Sequence, residues 1–274
     1  MSDSSPAITQ STQSYTPGFL HHLRAIVSIM CLVIWCVFML LMLSVLKLCK
    51  VSNLDRFYFT FHGGCCWLLN LRCRISGEVS TIKPTLFLSN HISYLDVFVL
   101  GRCVPAYFIA KSEVAGWPVL GWLAKAQNTL FFERNSKKVR HQMDVMAQHF
   151  DRKGNLILFP EGTSTNGEEV KFFKSSLLQA VESAEHGVMI QPVTVVYTRL
   201  QGRRMGRDDL DRYAWYDTMP FASHFLNMFG MPAANVEVVF HAPVRLRDFT
   251  DRKACAQYCQ QQVTTGLVDA LASA

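Results

Sequence analysis

Charged residues are scarce in this sequence, and long runs of one sign are absent. Asp, Glu, Lys and Arg make up 18% of the 274 residues, below the roughly 25% of typical soluble domains, and half of all residues are hydrophobic. The net charge of +6 would suit anionic headgroups, phosphates, an acidic carrier protein or nucleic acid. However, no run of five or more Lys and Arg residues occurs, and no Cys/His spacing of a zinc finger. We therefore expect membrane lipids as partners and no nucleic acid.

Three kinds of site are also missing from the sequence. The nine cysteines are odd in number and contain no CxxC pair, which excludes a disulfide framework or a zinc site and favours reduced thiols. No HExxH metal motif and no GxSxG nucleophile elbow occurs. A weak P-loop match at Gly162-x4-Gly167 continues with Glu168 and Glu169, where Lys and Ser/Thr are required. We expect no metal, no cofactor and no nucleotide hydrolysis.

The amino-terminal quarter of the chain is typical of a membrane anchor. Residues 1–24 form a predicted disordered tail, and residues 25–46 carry no charge. Twenty-two residues at about 1.5 Å each match a hydrocarbon core of about 30 Å, which is too long for a cleaved signal peptide. Lys47, Lys50 and Arg56 follow the run, so the remainder is predicted on the cytoplasmic side. A second apolar stretch, residues 57–71, is too short to span and predicts an interfacial helix. In that case the first helix need not span fully either.

Short apolar runs alternate with longer helical patterns after residue 73. This alternation predicts an α/β domain over residues 73–245, with a central mixed or parallel sheet flanked by helices, and a carboxy-terminal helix over residues 246–274. A polar loop is predicted over residues 202–211. The predicted strands are 85–89, 106–110, 129–132, 156–159, 188–196 and 236–240, and the predicted helices are 94–100, 114–125, 136–150, 172–185, 216–228 and 252–271.

Three polar clusters stand where predicted strands end, at residues 90–96, 132–135 and 159–164. Function collects at such positions in α/β sheets. In the first cluster, His91 precedes Asp96 by five residues. An aspartate that accepts from one ring nitrogen leaves the other nitrogen free to act as a general base. About 0.4 such spacings arise by chance from nine His and twelve Asp, so the spacing alone is weak. Ser93-x-x-Asp96 also fits a helix capping box, in which Asp96 serves the backbone only.

The ordered clusters resemble the glycerolipid acyltransferases, the family of 1-acylglycerol-3-phosphate acyltransferase. Four blocks match in order between about residues 75 and 200: Asn90-His91 to Asp96, Phe131-Phe132-Glu133-Arg134, Phe159-Pro160-Glu161-Gly162-Thr163, and Ile190-Gln191-Pro192-Val193. The resemblance implies direct transfer of a fatty acyl group from acyl-CoA or acyl carrier protein to a lysolipid hydroxyl. His91 would be the base and Asp96 its orienting partner.

The resemblance also implies the acceptor site. Arg134 would contact the acceptor phosphate, and Glu161, Gly162 and Thr163 would shape the site. Lys111, at a predicted strand end, is either a further phosphate contact or a solvated lysine. Ser164 stands where the family commonly has a basic residue. In this the chain is closer to the branch that includes lyso-ornithine lipid acyltransferases and some lysophosphatidylcholine acyltransferases. The alternative function is a catalytically idle, membrane-anchored lipid-binding or scaffold protein of the same fold.

Overall fold

Two helices precede the sheet. The computed structural model describes residues 18–117, 120–133, 138–185 and 187–274. α1 spans Phe19–Leu48 and α2 spans Asp55–Leu68. By length and composition, α1 is suited to crossing a membrane, and most of its side chains are exposed. The disordered tail predicted over residues 1–24 is too long, because α1 already begins at Phe19. Phe19, Leu20 and Leu23 extend the apolar surface of α1 beyond the charged Arg24.

α1 lies along the remainder of the protein and does not project from it. Near its start, His21 is buried against Gly230, where an added Cβ would lie 2.4 Å from the imidazole ring. In its middle, the Trp35 indole N–H donates to the carbonyl of Phe61 in α2 at 3.1 Å. Near its end, Leu43 is buried. His21 and Leu43 are about 33 Å apart at the rise of an α-helix, so most of the length of α1 is held against the protein.

One mixed sheet forms the centre of the molecule, in the strand order β1-β8-β6-β2-β5-β3-β4, with β7 and β9 paired to β6. β2 is parallel to β5 and β6, β3 is parallel to β4 and β5, and β8 is antiparallel to β6 and parallel to β1. The fold class predicted from the sequence is confirmed. The strands are β1 Leu71–Ser76, β2 Thr85–Ser89, β3 Tyr107–Lys111, β4 Leu130–Phe132, β5 Leu156–Leu158, β6 Met189–Leu200, β7 Arg203–Arg204, β8 Ala234–Phe240 and β9 Val244–Arg245.

Helices cover both faces of the sheet. Every residue of β2 is buried, and successive side chains enter opposite cores. Phe87 packs in the core shared with α2 and α3, whereas Leu86 and Leu88 pack in the core shared with α5 and α9. The carboxy-terminal helix is therefore part of the same packed domain. The helices after α2 are α3 Asp96–Cys103, α4 Leu120–Ala126, α5 Val139–Asp151, α6 Gln179–Ser183, α7 Arg207–Tyr213, α8 Phe221–Met228 and α9 Arg252–Ser273.

Several element boundaries differ from the sequence prediction for local reasons. The helix predicted over 114–125 is instead a 3₁₀ turn, Ser112–Gly116, followed by α4. Trp117 between them is extended, as a residue before proline prefers. The predicted polar loop 202–211 contains β7 and most of α7, whose amphipathic pattern is only two turns long. β1 begins at Leu71, so the predicted domain boundary at residue 73 cuts through a strand.

The sheet brings the polar clusters to one edge. β5 lies between β2 and β3, and all three strands are parallel. Their carboxyl ends therefore meet at the same side of the sheet. The first cluster follows β2, the third follows β5, and Lys111 ends β3.

Candidate active site

Asn90 fixes the start of the loop that carries the first cluster. Its side-chain amide donates to the carbonyl of Val195 at 2.9 Å, and its side-chain oxygen accepts from the Val195 N–H at 2.8 Å. Asn90 is fully buried. This two-way bond joins the end of β2 to the middle of β6, so the following residue, His91, leaves the sheet in a defined direction.

Asp96 collects four hydrogen bonds at the first residue of α3. Its Oδ2 accepts from Nδ1 of His91 at 2.9 Å, from the Ile92 N–H at 2.7 Å and from the Ser93 N–H at 2.9 Å. Its Oδ1 accepts from the Tyr197 hydroxyl at 3.0 Å. Asp96 has no exposed surface, whereas the side chain of His91 is 20% exposed. A buried carboxylate is tolerated here because every bond it accepts replaces water.

Asp96 both caps the start of α3 and contacts His91, and the same oxygen, Oδ2, makes both kinds of hydrogen bond. Oδ2 accepts from the Ser93 N–H, which is one half of a capping box. The other half is missing, since the buried Ser93 hydroxyl has no partner among the described residues. The same Oδ2 contacts His91. Asp96 therefore shapes the loop and orients the ring at once.

His91 presents one ring nitrogen to the open side. The imidazole stacks on the ring of Phe159, the first residue of the third cluster. The ring centroids are 4.0 Å apart, and the angle between the ring planes is 18°. Nδ1 is engaged by Asp96, and within the described chain no group hydrogen-bonds to Nε2. An imidazole held through Nδ1–H with Nε2 accessible has the arrangement of a general base.

Glu161 joins the third cluster to the first. Its Oε1 accepts from the backbone N–H of His91 and its Oε2 from that of Lys171, both at 2.8 Å. Burial raises the pKa of Glu161 to about 7, against the two N–H groups that lower it and in concert with the charge of Asp96. The sequence prediction assigned Glu161 to shaping the acceptor site. In the structure, both of its oxygens hold loop backbone, and its part in the acceptor site stays a prediction.

The remaining residues of the third cluster form a tight turn. Gly162 has φ +72°, a conformation that L side chains adopt rarely. Thr163 is half-buried beside it. The buried Ser164 hydroxyl donates to the carbonyl of Trp215, and the Trp215 N–H donates to the carbonyl of Ile92 at 2.9 Å. Trp215 thus ties the first cluster to the third.

Of the two basic residues predicted to bind substrate, the structure describes only Lys111. Lys111 is exposed at the end of β3 and is paired in register with Phe132 of β4, two residues before Arg134. It therefore lies at the same edge as His91. Arg134 lies outside the described residues, so its predicted contact with the acceptor stays a prediction.

Two features of the site were missed by the sequence reasoning. Tyr197 stands in the long buried strand β6, and burial together with the charge of Asp96 raises its pKa well above the ordinary value, so it stays a donor. β6 also carries Thr194 and Thr198, so the Tyr197 hydroxyl left no distinct signal in the sequence. An aromatic cluster also packs beside the first cluster and consists of Tyr94, Trp117, Trp215, Phe221 and Phe225. Its members come from three separate segments of the sequence.

Known proteins match both the sequence and the fold. The family model described as Acyltransferase matches residues 70–196. A lyso-ornithine lipid O-acyltransferase of Rhodobacter capsulatus is 36% identical over 74% of this chain and 72% of that protein, and one of Brucella abortus is 37% identical over 77% and 81%. A 1-acyl-sn-glycerol-3-phosphate acyltransferase of Neisseria gonorrhoeae is 32% identical over 44% of this chain and 48% of its own length.

A solved structure matches nearly the whole fold. The crystal structure of the 1-acyl-sn-glycerophosphate acyltransferase from Thermotoga maritima has a TM-score of 0.63 and covers 91% of this chain and 94% of its own. The sequence identity is 18%, so this likeness supports the α/β fold and its helical amino-terminal segment.

We expect Glu161 to make stability depend on pH. The pKa of about 7 in the folded protein lies above the unfolded value of 4.5, so the folded protein binds the proton more tightly. The resulting contribution to the free energy of unfolding is fully present below pH 4.5 and is lost as pH rises through 7. Its maximum is about 3 kcal/mol. Thermal unfolding of the wild type and of Glu161→Gln in detergent across this range measures it. The wild type should lose stability relative to the variant as pH rises, and parallel curves would refute the assignment.

Proposed function

This chain belongs to the acyltransferase family, and from that membership we propose that it carries a fatty acyl group from a thioester to the hydroxyl group of a lysolipid. It is an acyltransferase of the type that acts on lysolipids or lysophosphatidate. The proposal adds the donor, acyl-CoA or acyl carrier protein, and the roles of His91 and Asp96. The observation that carries it is the 2.9 Å contact between Nδ1 of His91 and a buried, fully hydrogen-bonded Asp96.

In the proposed reaction, Nε2 of His91 takes the proton of the acceptor hydroxyl as the oxygen attacks the thioester carbonyl carbon. The tetrahedral intermediate then collapses, the carbon–sulfur bond breaks, and the imidazolium returns the proton to the departing thiolate. Asp96 holds the ring through Nδ1, and its negative charge stabilises the imidazolium. The transfer is direct and forms no covalent acyl-enzyme.

Two residues support Asp96 in this role. The Tyr197 hydroxyl donates to Oδ1, while Oδ2 accepts from His91, so both carboxylate oxygens are held. Glu161 accepts from the backbone N–H of His91 and so holds the residue that Asp96 orients. No observation favours the idle scaffold alternative, since His91, Asp96 and Glu161 stand together in one hydrogen-bonded unit.

We expect His91→Ala to lower turnover by about 10²–10⁴-fold, because this is the usual contribution of a general base. Asp96→Asn should also lower turnover, since a neutral amide cannot stabilise the imidazolium. The double variant should lose little more than either alone. Purified protein in detergent, an acyl thioester and a lysolipid acceptor suffice for the assay.

Stability provides the control for these variants. His91→Ala should unfold near the wild-type temperature. Asp96→Ala should unfold earlier, because it leaves the Ile92 and Ser93 N–H groups without an acceptor. A folded His91→Ala protein with near wild-type turnover would remove His91 from the mechanism.

We propose a lyso-ornithine-like acceptor in preference to lysophosphatidate. Relatives of that name align over more than 70% of both chains, and Ser164 replaces the usual cation. In direct competition the lyso-ornithine lipid should be acylated faster than lysophosphatidate. Arg134→Ala should raise the KM for either acceptor and leave the donor KM unchanged. Arg134→Lys should restore only part of the loss, because an ammonium lacks the planar fork of a guanidinium. Preference for lysophosphatidate would reject the assignment.

We propose that α1 holds the enzyme on the cytoplasmic face of a membrane. Its exposed apolar side chains would enter the hydrocarbon, and Lys47 and Lys50 would stay on the cytoplasmic side. The opposite side of α1 is held against the domain through His21 and Leu43, which suits a helix shared between the bilayer and the protein.

Two lysines on the exposed side of α1 test this attachment. The variant with Ile34→Lys and Leu41→Lys should leave the membrane fraction, because each charge costs about 3 kcal/mol in the hydrocarbon. Val268→Lys, at an exposed position of α9, is the matched control and should stay with the membranes.

A second experiment tests the orientation. A carboxy-terminal tag should be digested only when added protease can reach the cytoplasmic face of the membrane. Wild-type enzyme in the soluble fraction at low salt would contradict the attachment.

A further inference from the structure

The third cluster of the sequence lacks a cation at position 164, and the structure shows what the position does instead. Ser164 is buried, and its hydroxyl donates to the carbonyl of Trp215. A long basic side chain at this position would have to displace the Trp215 segment. Any positive charge over this turn must therefore come from another part of the chain.

Lys174 places its ammonium over the same turn. Its backbone N–H donates to the carbonyl of Pro160 at 3.1 Å, which holds the Lys174 backbone next to the third cluster. Its side chain then passes over Gly162, where an added Cβ would lie 2.5 Å from Nζ and 3.4 Å from Cε. The ammonium thus occupies the space that a side chain at Gly162 would fill. The neighbouring residue, Glu161, holds the backbone of His91.

The charge of Lys174 is uncompensated in the described part of the chain. No carboxylate there lies within ion-pair distance of its Nζ, and Lys174 itself is exposed. Glu161, the nearest acid in sequence within the turn, has both oxygens engaged by backbone N–H groups. An ammonium folded back over the active-site turn, and open to solvent, is placed to bind an oxyanion.

We propose that Lys174 binds the anionic group of the acceptor headgroup, a carboxylate or a phosphate, and so supplies the charge that Ser164 lacks. This inference rests on the proposed function. Lys174 would be a substrate-binding residue that acts equally on the ground state and the transition state. A single ammonium neutralises a singly charged group fully and a doubly charged phosphomonoester only in part, which agrees with the proposed acceptor preference.

The test compares Lys174→Met, Lys174→Arg and the control Lys253→Met, an exposed lysine in the first turn of α9. With lyso-ornithine lipid, Lys174→Met should raise the acceptor KM about 10- to 100-fold, as expected for the loss of a charged hydrogen bond, with kcat within about threefold. The donor KM should not change. Lys174→Arg should stay within about threefold of the wild type, and so should Lys253→Met. With monoacylglycerol, an acceptor without an anionic group, Lys174→Met should match the wild type.

Other outcomes would overturn the inference. A raised donor KM with an unchanged acceptor KM would assign Lys174 to a phosphate of the donor. Unchanged values for both substrates would show that the ammonium is only solvated.

A binding measurement separates this inference from the proposed function. Equilibrium binding of labelled lyso-ornithine lipid to His91→Ala protein should weaken about 10-fold or more when Lys174→Met is added. Absence of acyl transfer by the wild type would reject the proposed function, whereas equal binding by these two proteins would reject the role of Lys174.

Discussion

The buried carboxylate of Asp96 is the interaction on which the site depends. It accepts from the His91 ring, from two consecutive backbone N–H groups and from Tyr197. Each bond has a separate consequence: the ring is oriented, the loop after β2 is closed, and α3 is connected to β6. Because Asp96 is excluded from water, removing any one of these donors leaves part of a charge poorly satisfied. The loop, the helix and the histidine therefore keep one arrangement together.

Glu161 is a second buried carboxylate that holds loop backbone through hydrogen bonds. It uses both oxygens to hold backbone N–H groups of His91 and Lys171, so the first and third clusters cannot move independently. The two carboxylates are close enough for the charge of Asp96 to raise the pKa of Glu161 further. The site is thus built on two buried acids whose main structural task is to position loop backbone. Of these three side chains, only that of His91 is partly exposed.

The helical segment and the site are mechanically connected. α3 begins at Asp96 and ends against α2, where Gly101 lets the buried His62 ring approach so closely that an added Cβ would lie 2.5 Å from it. α2 in turn carries α1 through Trp35. One continuous packing path therefore runs from the apolar surface of α1 to the carboxylate that orients His91. This path fixes the direction in which the site faces relative to the apolar surface of α1.

The sequence by itself determined the features that depend on local pattern. The alternation of short apolar runs with helical periods predicted the α/β sheet, and polar clusters at strand ends predicted that His91, Asp96 and Glu161 lie at one edge. Only the tertiary structure decided which atoms meet. Tyr197 reaches Asp96 from 101 residues away, Ser164 bonds to Trp215, and Lys174 folds over Gly162. These contacts arise from the order of strands in the sheet and from long-range packing, and neither leaves a periodic signal in the sequence.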